Sequence, residues 1–202
     1  MSETGAIVLA AGLSRRMGDR NKLLLPIGGI PMIRRTVMMY HSATQRPICV
    51  VVGHQADLIT AALKDIPAKI HFNPDYAQGQ ATSVACGLQM LARCDRFFIG
   101  LGDQPSLTPS NLEVLLKAHS AEDPAKIAIP QREGQRGNPI VVPDRLRARL
   151  LMDPRAPGCK KFTREYPEHV RFLPLSDPGF YADVDTPAEY SALATHHQEA
   201  IL

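Results

Sequence analysis

Two rhythms of hydrophobic and polar positions alternate along this chain. Short apolar runs at 6–9, 48–52, 69–72, 96–101, 126–129, 139–142 and 169–174 have the length and content of strands. Longer segments at 32–41, 55–64, 81–91, 109–119, 145–151, 159–165 and 187–196 repeat their apolar positions at helical spacing. Strand, helix and strand in turn predict parallel pairing and a sheet covered on both faces. The first four runs are nearly continuous apolar stretches, as expected of strands buried on both sides. The second half is less regular. A polar, glycine-containing stretch, 131–138, separates two strands and is expected to be a hairpin or an excursion toward a ligand. No repeat, low-complexity segment or linker appears, so the prediction is one α/β domain over 1–202 with a mostly parallel central sheet.

Composition narrows the partners. The chain has 202 residues, enough for a sizeable core, and a net charge of only +3 without a dense Lys/Arg tract. That argues against nucleic acid as a partner. No apolar stretch approaches the roughly 20 residues that span a bilayer. Met1-Ser2-Glu3-Thr4 lacks the basic region of a secretory signal. The expectation is a cytoplasmic protein with no membrane partner. Cys49, Cys86, Cys94 and Cys159 form no C-x-x-C pair, so neither a zinc site nor a dithiol motif is expected. Cys159 falls in a loop-like segment and is expected to be exposed. His54 on a polar loop and His196-His197 near the C-terminus are expected to be solvated.

The densest chemistry follows the first strand. Leu9, Ala10, Ala11 and Gly12 lead into Ser14, Arg15, Arg16 and Gly18, and Lys22 follows. Small residues let backbone N–H groups approach a ligand, and successive N–H groups form an anion-binding concavity. Arg16 and Lys22 add charges suited to phosphate oxygens. Five residues separate Gly12 from Gly18, so the loop is not a P-loop, and no G-x-G-x-x-G is present.

Other polar groups follow other strands: Gly53-His54-Gln55, Asn73-Pro74-Asp75 and Gly102-Asp103-Gln104-Pro105. In an open α/β sheet these collect on the carboxyl-end rim, where ligands bind. Asp103 suits a hard cation such as Mg²⁺, or alternatively caps a turn. Asp183 and Asp185, alternating in an extended segment, point to one side and offer a second carboxylate, or else Asp185 opens the last helix. Gly79 to Ser83 lie at a helix start and either contact a base or phosphate or cap the helix.

Taken together, Leu9-Ala10-Ala11-Gly12-x-Ser14-x-Arg16-Met17-Gly18 with Lys22 resembles the signature of GT-A-like nucleotidyltransferases. Gly102-Asp103-Gln104-Pro105 resembles their metal-binding strand end, and Gly79–Ser83 with Gly87-Leu88 their base-contacting helix start. Arg136-Gly137-Asn138-Pro139 and Asp183-Val184-Asp185-Thr186-Pro187 resemble the MobA-like branch, on its molybdenum cofactor cytidylyltransferase side. The resemblance spans about 5–190 and implies a single-domain, Rossmann-like (GT-A-like) three-layer sandwich.

It also implies transfer of CMP from CTP to a phosphate acceptor, foremost molybdopterin or the molybdenum cofactor, with release of pyrophosphate. Arg16, Lys22 and Asp103 would be catalytic. Leu9, Ala10, Ala11, Gly12, Lys22, Gly79 and Ser83 would bind the nucleotide, and Arg136 and Asn138 the acceptor. Asp103, with Asp183 or Asp185, would hold Mg²⁺. Ala11 favours a pyrimidine, because cytidylyltransferases of the branch tend to carry Ala-Ala-Gly and guanylyltransferases Ala-Gly-Gly. The chain departs from the branch where Gly-Asp-x-Gly-Ala-Arg is usual. It reads Arg155-Ala156-Pro157-Gly158-Cys159-Lys160 there, and Asn138 replaces a common His. Both departures bear on the acceptor. The other readings are a sugar- or polyol-phosphate nucleotidyltransferase, and a non-catalytic nucleotide-binding factor that delivers cofactor to a molybdoenzyme client.

Overall fold

The computed structural model describes residues 3–18, 20–152 and 159–199, with side chains to residue 195. Strand β1 (Thr4–Ala10) is buried at every position. It pairs in parallel with β4 (Ile48–Val52) and with β6 (Arg96–Leu101). The remaining strands are β2 (Pro26–Ile27), β3 (Ile30–Pro31), β5 (Ala68–Phe72), β7 (Ile127–Arg132), β8 (Gln135–Arg136), β9 (Ile140–Pro143) and β10 (Val170–Pro174). The main sheet runs β10-β7-β9-β6-β1-β4-β5, with β8 paired to β7. Among the described residues, β9 and β8 lie antiparallel to their neighbours in it and the other pairs are parallel.

Side chains alternate across this sheet and build two cores. Ala6, Val8, Ala10, Val50 and Phe98 pack on one face. There they meet helices α1 (Met32–Ala43), α2 (Ala56–Ala62) and α4 (Pro109–Glu122). Ile7, Leu9, Val51, Phe97 and Ile99 pack on the other face. That face carries α3 (Gln80–Met90), α5 (Arg147–Leu151) and α6 (Cys159–Glu165). The expected three-layer α/β sandwich is the observed fold. A last helix, α7 (Pro187–Glu199), contacts β2.

The differences have local causes. The run at 69–72 forms β5, but β5 is an edge strand with one neighbour, so Lys69 is exposed and Phe72 is 57% exposed. A cationic, half-covered edge resists further strand pairing. The stretch 131–138 is a hairpin: Gln131 pairs with Arg136 and Arg132 with Gln135 around Glu133-Gly134. The ladder of β2 and β3, turning at Gly28-Gly29, was not expected, because two-residue strands carry no alternation signal. Cys159 opens α6 and is half-buried rather than exposed, and burial pushes its thiol up to about 12. The departures at Arg155–Gly158 lie outside the described residues, as do the side chains of His196 and His197.

Candidate active site

The chain leaves β1 at Ala11 and makes no regular element until a single 3-10 turn, Arg15–Met17. Ser14 enters this turn in a left-handed conformation, φ 50°, and its Oγ accepts the Lys22 N–H at 3.3 Å. Asn21 Oδ1 accepts the Leu23 N–H at 3.1 Å and caps a second turn, Lys22–Leu24. Met17 and Leu23 are buried and anchor both turns. Arg16 and Lys22 are thereby placed on the rim beside Asp103.

Asp103 follows β6, where the Gly102 N–H donates to the Leu9 carbonyl at 2.9 Å. The Val184 N–H donates to the Asp103 carbonyl at 3.0 Å, which draws the 183–185 segment to the same place. The Lys22 ammonium is paired with Asp103 Oδ2 and, at 2.7 Å, with Asp185 Oδ1. Arg16 reaches Asp185 Oδ2 at 2.7 Å. Gln104 is fully buried and its Nε2 donates to Asp183 Oδ1 at 2.8 Å.

These contacts set the titration of each group. Burial pulls the Lys22 ammonium down, but Asp103 and Asp185 outweigh it and leave its pKa above the ordinary lysine value. Burial pushes Asp185 up, while Lys22 and Arg16 overcome this and hold it below the usual carboxylate range. Asp183 is open to solvent on one side and walled by protein on the other. Desolvation, then the charges of Asp103 and Asp185, push it up to about 6. Asp103 Oδ1 is buried and bonds to no protein donor, an acceptor available to a cation. Among the described residues, no group of three or more His, Cys, Asp or Glu side chains is gathered at metal-holding distance.

The rim carries two adjoining compartments. The smaller, about 460 Å³, is lined by Leu9, Ala11, Gly12, Arg16, Lys22, Gly79, Ser83, Asp103 and Asp185 among others. The larger, about 820 Å³, is bordered by Arg136, Asn138 and Asp183, together with Lys160, Lys161 and Arg164 of α6. Leu9, Gln80 and Leu101 line both. The Ala10 side chain packs in the core on the α1 side, leaving its backbone for the expected ligand contact. One expectation changes. Asp183 and Asp185 diverge, one to each compartment, because residues 182–185 are irregular rather than a strand.

At the start of α3, Gly79 adopts φ 123° and ψ 170°, a region in effect restricted to glycine. Asn73 Nδ2 donates to Thr82 Oγ1 and Ser83 Oγ, both at 2.9 Å, and locks this helix start to the end of β5. Gln80, within the expected Gly79–Ser83 segment, lines the smaller compartment, and so does Tyr76, which had not been singled out. Nothing marked Tyr76 in the sequence, whereas the basic spacing of Lys160 and Arg164 on one helix face was readable.

An open α/β sheet with a basic small-residue loop and acidic strand ends on one rim defines a nucleotide-binding transferase fold. The chain belongs to the MobA-like NTP transferase family, whose domain matches residues 6–170. It is similar to nicotine blue oxidoreductase of Paenarthrobacter nicotinovorans, 26% identical over 185 residues, 89% of this chain and 91% of that protein. Its fold is similar to that of a nucleotidyl transferase from Methanothermobacter thermautotroptrophicus. That likeness has a TM-score of 0.82 at 22% identity and covers 98% of this chain and 99% of the other. It is also similar to Rv0371C of Mycobacterium tuberculosis in complex with manganese. There the TM-score is 0.74 at 23% identity, over 96% of this chain and 99% of the other. Among the described residues, no helix is long and apolar enough to cross a membrane.

Proposed function

We propose that this chain transfers CMP from CTP to a phosphorylated acceptor, the molybdenum cofactor foremost, and releases pyrophosphate. The observation that carries the reading is the junction of the two compartments. A loop suited to a triphosphate lines one together with Asp103 and Asp185, and four basic side chains border the other together with Asp183. The Ala11 methyl narrows the smaller compartment, which supports a pyrimidine base.

Lys22 and Arg16 bind and orient the triphosphate, exchanging their carboxylate partners for phosphate oxygens. An oxygen of the acceptor phosphate attacks the α-phosphorus. The bond from that phosphorus to the bridging oxygen of the β-phosphate breaks, and pyrophosphate carries away the electron pair. The acceptor phosphate is already anionic at neutral pH, so no side chain need act as general base. Catalysis is positioning and charge stabilisation. The hard oxygen donors of Asp103, with Asp183 or Asp185, fit Mg²⁺, and the partnerless Asp103 Oδ1 supports this. A divalent cation there supplies charge neutralisation on the phosphates. The manganese in the Rv0371C structure supports the same choice of ion class.

The test is pyrophosphate release from each of the four NTPs, with and without molybdenum cofactor. Release that requires CTP and the cofactor together is the expected result. A redox reaction, as the name of the Paenarthrobacter relative suggests for that protein, would need no NTP. No release with any NTP would overturn the proposal.

A further inference from the structure

The base-binding end of the smaller compartment can be located from the sheet order. Asp103 follows β6, Ala11 follows β1, Gly53 follows β4 and Tyr76 follows β5, and these strands are consecutive in the sheet. Tyr76 therefore stands at the opposite end of the rim from the carboxylates, with the small-residue loop between them. It lines the compartment with Ala11.

The seat of this ring is closely built. A Cβ placed on Gly53 would lie 2.5 Å from both Cβ and Cγ of Tyr76 and 2.9 Å from Cβ of Ala11. No side chain fits there, so the Tyr76 side chain rests on the Gly53 backbone and continues the wall begun by the Ala11 methyl. Phe72 meets the ring edge-on at 6.4 Å between centroids, and His54 lies at 6.5 Å. Asn73 fixes both sides of the segment: its Oδ1 accepts the Asp75 N–H at 3.0 Å, and its amide holds Thr82 and Ser83. An aromatic ring held this firmly at a cleft wall offers a flat apolar surface, and a nucleobase presents a matching one.

We infer that Tyr76 is the residue against which the base of the bound nucleotide packs, and that Gly53 is the seat that lets it do so. The inference rests on reading the smaller compartment as the nucleotide site. Base selectivity then belongs to the wall formed by Ala11, Gly53 and Tyr76, rather than to the Ala11 methyl alone.

Calorimetric binding of CTP and of inorganic tripolyphosphate, each with Mg²⁺, separates the base from the phosphates. Tyr76→Ala should weaken CTP binding at least about fivefold, in the range of ring–base contacts. Tripolyphosphate binding should stay within about twofold of wild type by the same reasoning, since it has no base. Tyr76→Phe should keep wild-type CTP affinity. Gly53→Ala should also weaken CTP binding, because the added methyl displaces Tyr76 and presses on Ala11. Tyr76→Leu, which keeps apolar bulk for folding, should show the same selective loss if Tyr76→Ala is unstable.

Unchanged CTP affinity in Tyr76→Ala, or in Tyr76→Leu where Tyr76→Ala does not fold, would overturn the inference. Equal weakening of CTP and tripolyphosphate would also overturn it, since the ring would then only shape the loop. A wild type that binds CTP but releases no pyrophosphate from any NTP refutes the transferase reading and leaves this one standing.

Discussion

The Lys22 ammonium donates to Asp185 Oδ1 at 2.7 Å, joining groups 163 residues apart in the chain. The same ammonium pairs with Asp103, so one lysine holds two carboxylates that a cation would also seek. Lys22→Ala should therefore have two opposite effects. Turnover should fall by about 10²–10³, typical for loss of one charge contact in a transition state. Manganese binding without nucleotide, followed by water-proton relaxation, should tighten, because the competing ammonium is gone. Wild-type turnover would remove Lys22 from the mechanism, and unchanged manganese affinity would show that the pairing does not compete.

Asp103→Asn keeps the shape of the side chain and removes its charge. Metal-dependent activity should be lost, because a hard cation needs the anionic oxygen. Melting should stay close to wild type, since Lys22 keeps Asp185 as a partner. Full activity at limiting Mg²⁺ would reduce Asp103 to a turn residue.

Asp183, held near 6 by desolvation and the neighbouring Asp103 and Asp185, should titrate there in the free protein. In the unfolded chain its pKa is the ordinary 3.8. Between these values the folded state binds more protons than the unfolded state, so stability falls as pH rises through the window. The effect is small because the carboxyl is solvent-accessible. Asp183→Asn should flatten that part of a denaturant-midpoint profile against pH. Carboxyl ¹³C chemical shifts reporting an ordinary pKa would refute the prediction.

Arg136 donates to Thr163 Oγ1 at 2.8 Å and borders the larger compartment. Arg136→Ala should raise KM for the acceptor about tenfold and leave KM for the NTP unchanged, as expected for one charge-assisted contact to a single substrate. Equal changes in both would place the acceptor elsewhere.

Ala11→Gly should shift the kcat/KM ratio of CTP to GTP toward GTP. One methyl in a pocket is worth about 1–3 kcal/mol, so the shift should be partial. With Tyr76 still closing the wall, it should be smaller than in Ala11→Gly combined with Tyr76→Ala. Equal shifts in the two variants would leave the ring without a share in base choice.

The sequence by itself determined the three layers, the approximate places of the seven longer strands and the basic small-residue loop after the first of them. Apolar period and small-residue content are local properties. Ile48–Val52 and Arg96–Leu101 read as strands because their own residues demand burial. It also flagged Lys22, Asp103 and Asp185 one by one. Only the tertiary structure decided their pairing, since a contact across 163 residues depends on which strands become neighbours. For the same reason 69–72 became an edge strand. Tyr76 carried no signal at all. Its place in the cleft exists because β5 lies beside β4, which brings its ring onto Gly53, and strand order is not written in local pattern.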